Sequence, residues 1–295
     1  MGAFENILVF LDTTEYFEVC DYDSLHGRSH DEDMDVLKTC KVILPEDIAK
    51  MKNMPTSNNI LSEHCKITCD DRDTYTMALE FAQELKGEED KNENTEKRIM
   101  VLNFANPYHP GGGVRQGARA QEEDLCRRSS LIFSLDSDEA KKYYEYNKRE
   151  TTKDLFGNDY GTNSMILTPY VKVIKDKYYN GCVHTAVAVL TAAAPIIKSK
   201  WAVMDNYEEM MRERIDAVLL CAAHHGYTHL VLGAWGCGAF GNEPSVIARL
   251  FREAIEDFSY NGKNVHQLFE RISFAVPYNE KRPINHLTFK GEFND

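Results

Sequence analysis

Residues 98–123 read RIMVLNFANPYHPGGGVRQGARAQEE: an apolar run, three consecutive glycines, and then Gln121, Glu122 and Glu123. The apolar run at 98–105 predicts a buried strand that leads directly into the glycines. Three glycines leave backbone N–H groups unshielded by side chains, and such groups near a helix start bind anions. Carboxylates are the groups with which proteins cleave glycosides. The stretch therefore indicates a ligand that carries both a diphosphate and a glycosidic bond.

A second glycine-rich loop, GAWGCGAFGN at 233–242, closes a predicted strand at 227–235 and leads into a predicted helix at 244–258. Alone it indicates little, because many strand-to-helix turns of this kind are purely structural. Together with the first loop, it is suited to hold the other side of a diphosphate. Phe240 in this loop is predicted to pack against a sugar, with a role as a core anchor as the alternative.

The surrounding sequence alternates helical patterns with short apolar runs. Further helices are predicted at 74–85, 117–133 and 208–223, the last capped by Gly226. Further strands are predicted at 165–170, 182–190 and 272–276. This alternation predicts an α/β fold with a largely parallel sheet, in which ligands bind beyond the carboxyl ends of the strands.

Two parts of the chain are distinguished by pattern. Residues 1–60 are predicted to be a mostly helical N-terminal accessory segment packed on the core, and residues 61–295 the catalytic domain. The charged stretch at 86–97 is predicted to be a solvated loop. No role is predicted for residues 1–60 or for the loop at 135–163. Residues 141–149 could form an amphipathic surface with Tyr143, Tyr144 and Tyr146 that contacts a polymer, although a solvated helix is preferred.

Composition narrows the class of partner. The formal net charge is −13 over 295 residues, whereas a protein that coats a nucleic acid needs a basic footprint. We therefore expect no nucleic-acid partner, and we expect a small ligand or the end of a polymer to be held locally. No run approaches the roughly 18 apolar residues of a membrane span. The N-terminus has no secretory pattern, so we expect a cytoplasmic protein. We also expect the protein to act as a monomer.

The eight cysteines lack the spacing of a disulfide framework and are predicted to be free thiols. His64, Cys65 and Cys69 could form half of a zinc site, but no second pair follows at a suitable distance. We therefore predict no metal and no cofactor.

The motif NFAN, four residues, GGG, seven residues and QEEDL, with GAWGCGAFGN downstream, closely resembles the microbial-type poly(ADP-ribose) glycohydrolases of the macrodomain superfamily. The resemblance covers roughly residues 65–290. It implies a macrodomain-like mixed central sheet flanked by helices, with ADP-ribose in a cleft at the strand ends. It also implies poly(ADP-ribose), carried on modified proteins, as the substrate.

The resemblance further implies roles for single residues by their position in the motif. Glu123 would be the catalytic acid, and Glu122 would hold a substrate ribose hydroxyl. Asn106 would hydrogen-bond the distal ribose, against which Phe240 would pack. The other residues implied to bind substrate, chiefly its diphosphate, are Gly111, Gly112, Gly113, Gln121, Gly236, Cys237, Gly238, Ala239 and Gly241.

The residues themselves predict two separate roles for the carboxylates, because adjacent side chains on a helix point about 100° apart. Glycoside hydrolysis needs a proton for the leaving oxygen and an activated water. Glu123 is predicted to supply both. The resemblance implies that it does so at the polymer terminus, with release of ADP-ribose. Burial or the charge of Glu122 would favour the protonated acid. The structural alternative is a pair of carboxylates that stabilise a helix N-terminus.

Two other functions stay open at this stage. One is a mono-ADP-ribosyl hydrolase or a deacylase of acylated ADP-ribose, and the other is a macrodomain that binds ADP-ribose without hydrolysing it. The QEE motif argues against both. The adenine pocket also stays open, because Asp70, Asp71 or Asp73 could meet the adenine or could cap the helix near residue 74.

Overall fold

A seven-stranded sheet forms the centre of the computed structural model, which describes residues 1–19, 30–55, 64–87, 98–181 and 185–294. Its strands, in chain order, are β1 (Lys41–Ile43), β2 (Lys66–Asp70), β3 (Ile99–Phe104), β4 (Met165–Val173), β5 (Thr185–Ala192), β6 (His229–Leu232) and β9 (Arg271–Ala275). A small hairpin consists of β7 (Ser259–Tyr260) and β8 (Lys263–Asn264).

Helices precede, separate and follow the strands. In the described ranges they are α1 (Ala3–Val19), α2 (His30–Lys38), α3 (Pro45–Met51), α4 (Thr74–Gly87), α5 (Gln121–Arg128), α6 (Leu131–Leu135), α7 (Asp138–Glu150), α8 (Tyr207–His225), α9 (Pro244–Asp257), α10 (Val265–Leu268) and α11 (Ile284–Phe293). None of the helices in these ranges is long and apolar enough to span a membrane.

The strand order is β1-β4-β5-β3-β6-β9-β2. β4 runs antiparallel to its neighbours β1 and β5, and the other neighbouring strands pair in parallel. The sequence prediction of a mixed, largely parallel central sheet flanked by helices is therefore confirmed.

Helices cover both faces of the sheet, as the side chains of β3 illustrate. Met100 and Leu102 point into a core shared with α8, α9 and α11, whereas Ile99 and Val101 point into a second core shared with α4 to α7. Alternate residues of a strand face opposite sides of the sheet, so a strand buried on both faces reads as a continuous apolar run. This burial explains why β3 could be recognised from the sequence.

The predicted helix at 117–133 is wrong as a single element. α5 ends at Arg128 and α6 begins at Leu131, because Ser129 and Ser130 leave the helix to pair with β4. The Ser130 N–H donates to the Lys172 carbonyl at 3.0 Å, and the Lys172 N–H donates to the Ser130 hydroxyl at 2.9 Å. A contact with a distant strand thus overrides the local helical pattern.

The N-terminal segment contributes to the sheet as well as to its surroundings. α1, α2 and α3 are helical, but β1 is an edge strand paired with β4. The prediction of a surface along 141–149 is wrong for Tyr143 and Tyr144, because both are buried in the core beneath α7. The domain boundary at residue 60 stays a prediction.

Some sequence predictions fall where the structure gives no description. The charged residues 88–97, Cys20, and Cys182 with the start of its predicted strand lie outside the described residues. The six described cysteines are free thiols.

Candidate active site

The two glycine-rich loops leave the sheet at the same edge. β3 and β6 are parallel neighbours, so the segments that follow Phe104 and Leu232 leave the sheet at their common carboxyl end. A cavity of about 840 Å3 opens there. The predicted residues that line this cavity are Gln121, Gly236, Gly238, Ala239 and Phe240. The predicted residues that do not line it are Asn106, Gly111, Gly112, Gly113, Glu122, Glu123, Cys237 and Gly241.

Gln121, the first residue of α5, ties that helix to the end of β3. Its Oε1 accepts a hydrogen bond from the Phe104 N–H at 2.9 Å. Its Nε2 donates to the Leu102 carbonyl at 2.8 Å and to the Thr74 hydroxyl at 3.1 Å. Both polar atoms of the side chain therefore hold α5 in register with the strand, and a contact of Gln121 with substrate stays a prediction.

Glu122 is buried below the first loop, with 2% of its surface exposed. Its Oε2 accepts the Asn106 N–H at 2.7 Å, and its Oε1 accepts from Asn103 Nδ2 at 3.3 Å. Burial raises the pKa of Glu122 to about 8, although the hydrogen bond from Asn106 acts against the rise, and the neighbouring charge of Glu123 adds to it. Near neutral pH this carboxyl therefore favours its protonated form.

Glu123 has different surroundings. Its Oε1 accepts the Gly113 N–H at 2.8 Å, and its Oε2 is buried with no hydrogen-bond partner among the described residues. Buried polar atoms are nearly always paired, so an unpaired carboxylate oxygen here indicates a place for a ligand or a water. The two glutamates therefore have distinct partners, as the angular spacing of the helix predicted.

Gly112 lies between these carboxylates and leaves no room for a side chain. Its φ of +57° is in the left-handed region, which favours glycine. A Cβ at this position would lie 2.5 Å from Glu123 Oε1 and 3.0 Å from Glu122 Oε2. The close approach of backbone to both acids thus requires glycine at this position.

Asn106 shapes the first loop from within. Its Oδ1 accepts the N–H groups of Tyr108 at 2.9 Å and His109 at 3.1 Å, which is an Asx-turn, while its own N–H donates to Glu122. The structure therefore places Asn106 beside the acids. Its predicted contact with the distal ribose stays a prediction.

The second loop is held by Asn242. Its Nδ2 donates to the carbonyls of Pro195 at 2.7 Å and Gly236 at 3.0 Å, and its Oδ1 accepts the Tyr207 hydroxyl at 2.6 Å. Phe240 is half-buried; it packs on the core and also lines the cavity. The two alternatives for Phe240, core anchor and ligand contact, are therefore compatible.

The three aspartates near α4 have different hydrogen-bond partners. Asp73 accepts the Thr76 N–H at 2.9 Å and the Thr76 hydroxyl at 2.5 Å, so it caps α4, and it also lines the cavity. Asp70 accepts hydroxyls from Thr68 and Ser273, and Asp71 accepts the Tyr278 N–H. Among the three, Asp73 is the one that reaches the cavity.

Several cavity residues were not found by sequence reasoning. They come from the start of α1, from the loop after β4 and from the segment after β9: Met1, Asn6, Lys177, Tyr178, Tyr179, Val276, Pro277, Tyr278, Asn279, Arg282 and Asn285. No local motif marks them, because tertiary packing alone brings these segments to the cavity. In the described ranges, no group of three or more His, Cys, Asp or Glu side chains is arranged to bind a metal ion.

Comparison with known families and structures agrees with this architecture. The family model for the microbial-type PARG catalytic domain matches residues 15–176. No curated protein matches the chain significantly.

Solved structures of bacterial enzymes match nearly the whole chain. Poly(ADP-ribose) glycohydrolase (PARG) from Thermomonospora curvata is 27% identical, with a TM-score of 0.78 over 98% of this chain and 100% of that one. The same enzyme bound to the inhibitor ADP-HPD is 28% identical, with a TM-score of 0.76 over the same shares. PARG from Deinococcus radiodurans in complex with ADP-ribose is 31% identical, with a TM-score of 0.70 over 88% of this chain and 96% of that one.

Proposed function

Because the chain belongs to the microbial-type poly(ADP-ribose) glycohydrolases and is a glycosidase of that family, we propose that it acts at the terminus of poly(ADP-ribose). There it hydrolyses the ribose–ribose O-glycosidic bond and releases ADP-ribose. The proposal places the terminal ADP-ribose unit in the cavity lined by Gln121 and the second loop, with Phe240 against the distal ribose. Proteins modified with the polymer are the proposed carriers of the substrate.

One observation supports the chemistry above all others: the Oε2 of Glu123 is buried and has no hydrogen-bond partner among the described residues. Its partner atom Oε1 is fixed by the Gly113 N–H, so the carboxyl has a defined orientation and one oxygen left for a reacting group. A general acid must lie within hydrogen-bond reach of the atom that it protonates. We propose that the glycosidic oxygen occupies this position in the bound substrate.

The proposed reaction uses Glu123 twice. As the bond between the anomeric carbon and the leaving oxygen breaks, Glu123 gives its proton to that oxygen, and the sugar passes through an oxocarbenium-like state. Glu123 then accepts a proton from the water that attacks the anomeric carbon, which regenerates the acid. The backbone N–H groups of Gly236, Gly238, Ala239 and Phe240, which line the cavity, are proposed to hold the diphosphate. The N–H groups of Gly112 and Gly113 are engaged by the His109 carbonyl and by Glu123 in this structure.

Glu122 has a separate part in this proposal. Since burial keeps Glu122 neutral near pH 7, it adds no negative charge beside the diphosphate. Its hydrogen bond from the Asn106 N–H fixes the first loop over the acids. A contact between Glu122 and a ribose hydroxyl remains part of the proposal.

The substrate is tested by incubating the purified protein with automodified poly(ADP-ribose) polymerase and, in parallel, with a mono-ADP-ribosylated protein. Products are resolved by chromatography over time. The proposal expects ADP-ribose from the first time point, with polymers that shorten progressively. Release from the mono-modified protein alone would indicate a mono-ADP-ribosyl hydrolase, and binding of ADP-ribose without release from either would indicate a binding module.

Two further parts of the proposal concern the protein in the cell: action as a monomer and a cytoplasmic location. Sedimentation at micromolar concentration tests the first, with a single species of the mass of one chain as the expected result. Fractionation of the source cells tests the second.

A further inference from the structure

The segment 151–163, between α7 and β4, lies against the chain that follows β5. Asp159 and Ile196 exchange both backbone hydrogen bonds, at 2.9 Å and 2.7 Å. Asn158 is fully buried, and its Oδ1 accepts the N–H groups of Lys198 and Ser199, both at 2.8 Å. The segment is therefore held at residues 158 and 159 against the chain that follows β5, although it contains no helix and only isolated bridge pairs.

The chain that holds this segment also holds the second glycine-rich loop. The Ile197 N–H donates to the Phe240 carbonyl at 2.7 Å, and the Pro195 carbonyl accepts from Asn242 at 2.7 Å. Residues 195–197 therefore contact the segment on one side and the second loop on the other.

The side chain of Asp159 reaches in the opposite direction, to the first loop. The Tyr108 hydroxyl donates a hydrogen bond to Asp159 Oδ2, and Asp159 Oδ1 accepts from Thr151 at 2.5 Å and from the Gly161 N–H at 3.1 Å. Lys153 Nζ lies 3.3 Å from the same carboxylate. Burial acts to raise the pKa of Asp159, but the hydrogen bonds from Thr151 and Tyr108 outweigh it and hold that pKa below its usual value. The acceptor is therefore an anion, which strengthens the bond from Tyr108.

Tyr108 is joined to the acids through a short series of contacts. Its N–H donates to Asn106 Oδ1, and the Asn106 N–H donates to Glu122. Three glycines, which have little conformational preference of their own, follow in the same loop and present the Gly113 N–H to Glu123. The loop thus needs an external contact to fix its position, and Tyr108 provides one.

We infer that Asp159 is a positioning residue for the glycosidase reaction: by holding Tyr108, it fixes the first loop, and with it Glu122 and Glu123, at a set distance from the second loop. This inference rests on the proposed function of Glu123. Segment 151–163 would then hold the first loop and the second loop in a fixed relative position. A misplacement of about 1 Å at an active site can cost about a hundredfold in rate.

The variants Tyr108→Phe and Asp159→Asn test this inference. Tyr108→Phe removes one hydroxyl and keeps the ring, so it is expected to fold normally and to lower kcat for ADP-ribose release about tenfold to a hundredfold, with KM changed less than about threefold. Asp159→Asn should lower kcat at least as much. The double variant should be no slower than the slower single variant, because both remove the same contact. Tyr260→Phe on β7, which removes a hydroxyl bonded to the Met54 carbonyl, and Asp138→Asn on α7 are the matched controls.

Hydrogen–deuterium exchange provides a readout that does not depend on turnover. Peptides that cover 103–117 should exchange faster in Tyr108→Phe, while peptides of β3 and α8 should be unchanged. A kcat equal to wild type in Tyr108→Phe, or losses that add in the double variant, would overturn the inference. If wild type itself released no ADP-ribose, the proposed function would fail. Unchanged exchange at 103–117 in Tyr108→Phe would separately overturn the positioning role of Asp159.

Discussion

Glu122 and Glu123 are neighbours in sequence, yet they differ in what surrounds them. Glu122 has one oxygen bonded to Asn103 of β3 and the other to Asn106 of the first loop, whereas Glu123 has one oxygen bonded and one with no partner among the described residues. Burial raises the pKa of Glu122 to about 8. A carboxyl that is neutral at pH 7 and engaged on both sides is suited to support the loop, and an oriented carboxyl with an unpaired oxygen is suited to proton transfer.

The raised pKa of Glu122 predicts a pH dependence of stability. Between its usual value near 4.5 and about 8, the folded state holds a proton that the unfolded state has lost. The free energy of unfolding therefore falls as pH rises through this window, by up to about 1.4 kcal/mol per pH unit from this group. Glu122→Gln mimics the protonated side chain and lacks this term, so its stability relative to wild type should increase from pH 5 to pH 8.

Urea unfolding of both proteins at pH 5, 6, 7 and 8 measures this difference, with the exposed Glu145→Gln as the matched control. A constant difference between Glu122→Gln and wild type across the range would contradict the assignment of a raised pKa.

Gly112→Ala should damage the site through geometry alone. A Cβ would lie 2.5 Å from Glu123 Oε1, and alanine rarely adopts a φ of +57°. We expect a loss of stability of about 1–2 kcal/mol and a fall in kcat of at least about tenfold. Thermal unfolding and initial rates measure the two effects. Gly291→Ala on α11, where a Cβ meets open space, should keep full activity, and equal activity of the two variants would refute the expectation.

At the scale of elements, α8 connects the parts that surround the second loop. Arg214 on this helix is 2% exposed and donates to the carbonyls of Ala193 at 2.9 Å and Tyr160 at 2.8 Å, and to Asn163 Oδ1 at 3.1 Å. Burial lowers its pKa to about 10, which still leaves it charged at pH 7. One buried cation thus joins α8, the end of β5 and segment 151–163.

Arg214→Met should therefore destabilise the protein strongly. It would leave two buried carbonyls and one amide oxygen without a donor, at a cost of about 3 kcal/mol or more in the free energy of unfolding. Arg212→Met, two positions away, removes only partly exposed ion pairs to Asp216 and Asp257 and should cost about 1 kcal/mol or less. Chemical denaturation compares the two variants. Equal losses in the free energy of unfolding would show that the buried contacts of Arg214 stabilise the protein no more than the partly exposed ion pairs of Arg212.

At the scale of the whole molecule, net charge governs contact with a polyanion. The chain carries −13, so the body of a polymer gains little from surface attraction, and binding depends on the terminal unit. We predict that KM, expressed per polymer terminus, stays constant within about twofold between short and long polymers. Size-fractionated polymer tests this, and a KM that falls steadily with length would reveal an extended binding surface.

Local signals explain what the sequence alone could predict. The apolar run of β3, the two glycine-rich loops, and α8 with its cap at Gly226 are each encoded by neighbouring residues, and the structure contains all of them. The contact of the Gly113 N–H with Glu123 was not predicted, because the three glycines were expected to face the diphosphate.

The remaining features depend on tertiary contacts. The break between α5 and α6 arises from pairing of Ser130 with Lys172, and the approach of α1 to the cavity includes a 3.0 Å hydrogen bond from Asn6 to the Gly117 carbonyl. The contact of Asp159 with Tyr108 joins the first loop to segment 151–163, and segment 151–163 has no recognisable pattern. None of these pairs is close in sequence, so no local periodicity could predict them.

The most direct test of the central claim is the rate of ADP-ribose release by Glu123→Gln, measured beside wild type and the exposed control Glu145→Gln on the same automodified polymer. Calorimetric titration with ADP-ribose shows whether the site is intact. The account predicts a loss of at least about a hundredfold in kcat, with the Kd for ADP-ribose within roughly threefold of wild type. Release at the wild-type rate by Glu123→Gln would contradict the assignment of Glu123 as the acid and base.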